Sequence, residues 1–73
     1  MKMKINDQLV LNKQLISDFS PGTEVKVIDI FKFKNSPTVQ MVTLEDINFI
    51  PTKGRPEKRC TVHLIDLYVA VDG

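Results

Sequence analysis

The sequence predicts a mainly β fold: a small, closed or nearly closed barrel of about five short antiparallel strands, with one short N-terminal helix. Three observations predict it. Segments rich in β-branched and aromatic residues recur, separated by turn signals roughly every 8–12 residues. Within those segments apolar and polar side chains alternate with a period of two. The chain has 73 residues, room for one domain and one thin core, and at that size closing the sheet is the simplest protection for strand edges.

Residues 2–5 are expected to form a short strand. Asn6-Asp7-Gln8 reads as a turn, because Asn and Asp side chains bond the nearby backbone. Leu9-Val10-Leu11 follows as a second short strand. Asn12 to Phe19 is the helix candidate: Asn12 is a good N-cap, and Leu11, Leu15, Ile16 and Phe19 make one apolar stripe at helical spacing. A helix of two turns must dock to persist. Ser20-Pro21-Gly22 ends it, with φ fixed at Pro21 and a positive φ open to Gly22. This division gives an N-terminal hairpin and helix over 1–19 and a barrel core over about 20–71.

Glu24 to Phe33 is a strand by its β-branched and aromatic content. Val25, Val27, Phe31 and Phe33 share one face, and Lys26, Ile28, Ile30 and Lys32 the other. That alternation is imperfect, and a bulge near Asp29 would let the apolar face switch. Lys34 to Pro37 is a turn. Thr38 to Leu44 is the next strand, with Val39 and Met41 on one face, Val42 and Leu44 on the other. Glu45 to Asn48 is a tight turn, and two prolines and Gly54 make Pro51 to Lys58 a loop. Arg59 to Leu64 is a strand with Cys60, Val62 and Leu64 inward, and Arg59, Thr61 and His63 outward. Asp66 marks a break. Leu67 to Val71, apolar on both faces, is the last strand, either central or covered by a neighbouring molecule.

The segment Pro21-Gly22-Thr23-Glu24-Val25-Lys26-Val27 resembles the opening strand of SH3-like barrels, where a Pro-Gly turn and alternating valines begin the first core strand. Val39-Gln40-Met41-Val42 and Cys60-Thr61-Val62-His63-Leu64 stand in the places of the middle strands, so the resemblance spans roughly 20–71. It implies a fold only. The acidic loop and tryptophan-bearing strand of the peptide-binding SH3 family are missing: the chain has no Trp and one Tyr, Tyr68.

Composition narrows the function. Apolar residues are 42% and charged residues 26%, which suits a globular chain and excludes a disordered one. A formal net charge of +1 supplies no global field toward a polyanion. Cys60 is the one cysteine, so no internal disulfide forms, which favours the cytoplasm. Asn6, Asp7 and Gln8 interrupt any signal-like run after the N-terminal lysines, and Leu67 to Val71 is too short to cross a bilayer. A soluble protein is expected.

Catalysis lacks a constellation. Cys60 and His63 lie three apart on a strand, so they point to opposite faces and cannot pair as nucleophile and base. One Cys and one His fall short of the four ligands of structural zinc. Glu45 and Asp46 diverge in a turn, and the three glycines are scattered rather than gathered into a phosphate loop. No enzyme, cofactor or metal is expected.

Two features point to binding. Lys53-Gly54-Arg55-Pro56-Glu57-Lys58-Arg59 holds four positive charges and one negative in a loop. Such a run is more often a solubilising surface than a contact. As a contact, Lys53, Arg55, Lys58 and Arg59, with Lys26 and Lys32 (and Lys34) as a stripe, would meet nucleic-acid backbone or an acidic protein. Phe49 and Tyr68 are the candidate stacking residues beside them. The second feature is an apolar surplus: Ile28, Ile30 and Leu67 to Val71 exceed what one small core hides. The docked helix or a second molecule would cover it, the latter as a homodimer through Leu67 to Val71. The expected function is a non-catalytic binding module. It would be a protein–protein interaction, regulatory or inhibitor protein acting by edge-strand pairing or apolar burial, with a basic loop steering an acidic partner. The alternative is a nucleic-acid-binding barrel using the 53–59 loop.

Overall fold

The computed structural model describes residues Met3 to Asp72. They form four strands and one helix: β1 (Gln8–Val10), β2 (Glu24–Phe33), β3 (Ser36–Asp46), β4 (Arg59–His63) and α1 (Leu64–Asp72). The strands make one antiparallel sheet in the order β1-β2-β3-β4. Each strand lies beside its neighbour in sequence, so the sheet is an open meander, where closure had been expected. Its edges are β1 and β4, and α1 packs on β3 and β4 in place of a fifth strand.

The core draws one face of the sheet, one side of α1 and the segment before β2 into a single cluster. Val25, Val27, Val42 and Leu44 are fully buried at its centre, with Cys60 and Val62 from β4. Leu11 and Phe19 close one side, and Leu64, Leu67 and Ala70 the other. The bulge expected near Asp29 is present: register shifts between Val27 and Asp29, leaving Ile28 extra. Before it, Val27 pairs with Leu44 on the core face. After it, Ile30 pairs with Val42 on that face, and Phe31 pairs with Met41 on the opposite one. The bulge thus keeps Ile30 against the core and turns Phe31 and Phe33 outward.

Three expected elements are corrected. Leu67 to Val71 is helical, and α1 begins at Leu64. Buried Leu64, Leu67 and Ala70, with half-buried Tyr68 and Val71, follow helical spacing, while Ile65 and Val69 face solvent. A continuous apolar run fits either period, and here the three-to-four period wins. Asp66 is no break: it sits in the first turn, where a carboxylate suits the helix dipole. The segment through which a homodimer was expected is thus a helix rather than a strand, and its Leu67 and Ala70 are buried in the chain's own core.

Asn12 to Phe19 is not a helix. Leu11 instead bonds across to the segment before β2, its N–H donating to Thr23 (2.9 Å) and its carbonyl accepting from Gly22 (2.8 Å). Ile16 and Phe19 then bridge a tight reversal, with Asp18 at φ 72°. Two turns of helix are too weak to compete with these long-range bonds. Asn12 caps a different helix at its other end. Its backbone N–H donates to Ala70 (2.7 Å) and its side-chain amide to Val71 (2.6 Å), at the C-terminus of α1. Gly22 does take the positive φ expected of it, 92°. No strand forms at residues 3–5; Lys2 lies outside the described residues. Met3 is buried, its N–H 3.3 Å from the Tyr68 hydroxyl, and the chain turns over Lys4–Asp7.

Candidate functional site

The strands differ in length, and that difference creates a free edge. β3 runs for eleven residues, yet β4 pairs only with Met41 to Glu45, ending at His63 opposite Met41. Within Ser36 to Gln40 only the two ends pair with β2, Ser36 with Phe33 and Gln40 with Lys32, the register shifting between them across Pro37 to Val39, and none of the five pairs with β4. Past His63 the Leu64 side chain turns into the core and draws the backbone into α1. The space left open is a cleft of about 380 Å³, lined by Thr38, Val39, Gln40, His63, Leu64, Ile65 and Tyr68. Ile65 stands on its rim, 70% exposed. Pro37 has no N–H to offer at this edge and blunts its outer end, so the usable edge is Thr38 to Gln40.

Cys60 and His63 occupy opposite faces of β4, buried and exposed respectively. Burial pushes the Cys60 thiol up to about 11, against the opposing pull of the Lys58 charge. On the outer face the Thr61 hydroxyl instead meets that of Thr43, at 3.0 Å. Among the described residues no three His, Cys, Asp or Glu side chains gather as metal ligands, and no helix is long and apolar enough to cross a membrane.

The six candidate cations do not converge. Lys58 lies 3.4 Å from Asp46 and 4.9 Å over the Phe19 ring. Arg59 lies 2.9 Å from Glu45 and 2.8 Å from Glu57. Arg55 lies 3.9 Å from Asp18 and 5.3 Å over the Phe49 ring. Lys53 makes no ion pair among the described residues. Lys26 stands opposite Glu45, which stands opposite Arg59, so the three form a row of alternating charge across the sheet. Lys32 is opposite Gln40, about 20 Å further along β2 at strand rise. Of the stacking candidates, Phe49 sits under Arg55 and Tyr68 lines the cleft, away from the loop.

Simple alternation puts Phe31 and Phe33 on the face of Val25 and Val27, and the bulge near Asp29 separates them from it. Phe31 and Phe33 lie on the outer face with ring centroids 5.7 Å apart at 84°, an edge-to-face pair. The signal for their placement was the bulge, which reverses the facing of everything after it. Comparison with family models, with curated proteins and with solved structures finds no match for this chain.

Proposed function

We propose that this chain is a non-catalytic protein-binding module that takes an extended segment of a partner along the free edge of β3, and that it regulates by occupying that partner's surface. One observation carries the reading: β3 outruns β4 beside an apolar cleft. Strand addition needs an edge with unsatisfied backbone groups for affinity and a pocket for alternate side chains for specificity, and Thr38 to Gln40 with the cleft supply both. Val39, Leu64, Ile65 and Tyr68 would receive an apolar side chain, and Thr38, Gln40 and His63 polar ones.

Catalysis has little to support it, because Cys60 and His63 are split across the sheet and the thiol stays protonated at neutral pH. The buried free thiol suits a reducing, cytoplasmic setting. Nucleic-acid contact through residues 53–59 is weakened by the carboxylates beside Arg55, Lys58 and Arg59.

Selection of a displayed random-peptide library against the immobilised protein tests the proposal. Enriched peptides should shift the amide resonances of Thr38 to Gln40 and His63 to Tyr68, and Ile65→Asp should abolish their binding. Failure to enrich any peptide, or shifts confined to other surfaces, would overturn it.

A further inference from the structure

We infer a second surface, which meets the cleft at His63: Phe31 and Phe33 on the outer face of the sheet stack the bases of a single-stranded nucleic acid, while Lys32 and Lys34 meet its phosphates. The first argument is where the aromatic rings are. The chain has four phenylalanines and a thin core. Phe19 is 2% exposed, whereas Phe33 is 50% exposed and Phe31 half-buried, both outside the core cluster. A small domain that leaves such a side chain in water forgoes one of its largest available stabilising contributions. The bulge at Ile28 is what places the rings outside.

The second argument is that the rings are held. Phe31 packs edge-to-face on Phe33, and its cross-strand partner is Met41, 8% exposed. Met41 in turn lies opposite His63. Phe31, Met41 and His63 therefore form one row across three strands, backing the half-exposed Phe33 ring. A base stacks well on a fixed ring and needs no matching hydrogen-bond pattern to do so.

The third argument is charge. From Ile30 to Leu44 the hairpin carries Lys32 and Lys34 and no carboxylate. Neither lysine makes an ion pair among the described residues, unlike three of the four cations in the 53–59 loop. Lys32 starts on the opposite face from the rings, at an edge of β2 that β1 leaves uncovered, and Lys34 lies in the turn that follows Phe33. Asp29 and Glu45 carry the first negative charges on this face and mark where the surface ends. Aromatic rings on a sheet face, with lysines free of carboxylate partners at its edge and turn, suit a strand of stacked bases and phosphates.

Fluorescence anisotropy with labelled twelve-residue oligo-dT and oligo-rU at 50 and 200 mM salt tests this. The wild-type protein should bind saturably at the lower salt and weaken at the higher. Phe33→Tyr, which keeps a stacking face, should bind within twofold of wild type. Phe33→Leu, which keeps apolar bulk but no aromatic ring, should bind roughly tenfold more weakly, the scale of one lost base stack. Lys32→Ala with Lys34→Ala should flatten the salt dependence, while Lys53→Ala should leave binding unchanged. Circular dichroism checks that each variant folds. Absence of saturable binding at 50 mM salt would overturn the inference. So would full binding by Phe33→Leu, loss on changing Lys53, or capture of displayed peptides by the Phe33 face instead of oligonucleotides.

Discussion

The ammonium of Lys58 lies 3.4 Å from the carboxylate of Asp46, with the two side chains only 15% and 13% exposed. The same residues are joined through the backbone, where the Asp46 N–H donates to the Lys58 carbonyl at 2.9 Å. Lys58 also lies over Phe19, a fully buried core residue, and Asp46 accepts the Asn48 N–H at 3.0 Å. This pair pins the long loop between β3 and β4 to the end of the core. Asp46→Ala leaves Lys58 partly buried without its partner and loses the turn bond as well. The expected cost is about 2 kcal/mol, between the values for exposed and fully buried pairs. Urea unfolding measures it. Glu57→Ala, which removes one exposed partner of Arg59, should cost less than about 0.5 kcal/mol in the same assay.

Asn12 holds the last turn of α1. Its side-chain amide and backbone N–H satisfy the Val71 and Ala70 carbonyls, which helix geometry leaves without partners. Asn12→Ala removes the side-chain bond alone and should cost about 1 kcal/mol. At this chain length that corresponds to a fall in Tm of roughly 4–8 °C. Hydrogen exchange should locate the loss at the C-terminal end of α1 and leave β2 and β3 protected.

Burial of the Cys60 thiol sets a pH window. Its folded pKa, about 11, is raised above the ordinary value of 9.0. Below pH 9 the thiol is protonated whether the chain is folded or not, and its burial contributes fully. Between pH 9 and 11 the unfolded thiol ionises while the folded one resists, so stability falls as pH rises. Other groups titrate in this range, so the comparison must be differential. Urea midpoints measured from pH 8 to 11 should fall more steeply for wild type than for Cys60→Val. Equal slopes would mean that the thiol ionises as easily inside the protein as outside it.

Residues whose environment is set locally were legible from sequence, and those set at a distance were not. The alternation in Glu24 to Phe33 and in Arg59 to His63 placed two strands, and the broken alternation at Asp29 placed the bulge. Leu67 to Val71 was misread because consecutive apolar residues carry no period of their own. Leu11, Leu15, Ile16 and Phe19 carry a helical period, but the Leu11 bonds to Thr23 and Gly22 and the left-handed Asp18 overrule it. The basic loop read as a cluster because three of the acids that pair with it, Asp18, Glu45 and Asp46, lie far back along the chain. The cleft could not be foreseen at all. It depends on where β4 stops relative to β3, and no residue type records that.

The free edge of β3 gives the most direct separation of fold from function. Ile65 is 70% exposed on the cleft rim and makes no part of the core cluster, so Ile65→Asp should change unfolding free energy by less than about 0.5 kcal/mol. A partner strand seated along Thr38 to Gln40 would have to bury that new carboxylate against Val39, Leu64 and Tyr68. Burying an unpaired charge is costly, so the binding of selected peptides should fall at least a hundredfold. Lys53→Ala offers the control. Lys53 lies in the loop beyond the cation-bearing ion pairs and lines no part of the cleft, so its loss should move the salt dependence of the association rate at most, and leave the dissociation rate alone. Calorimetric titration with a selected peptide, paired with stopped-flow mixing, reads both variants. Loss of stability without loss of affinity in Ile65→Asp would make the rim part of the fold rather than part of a site.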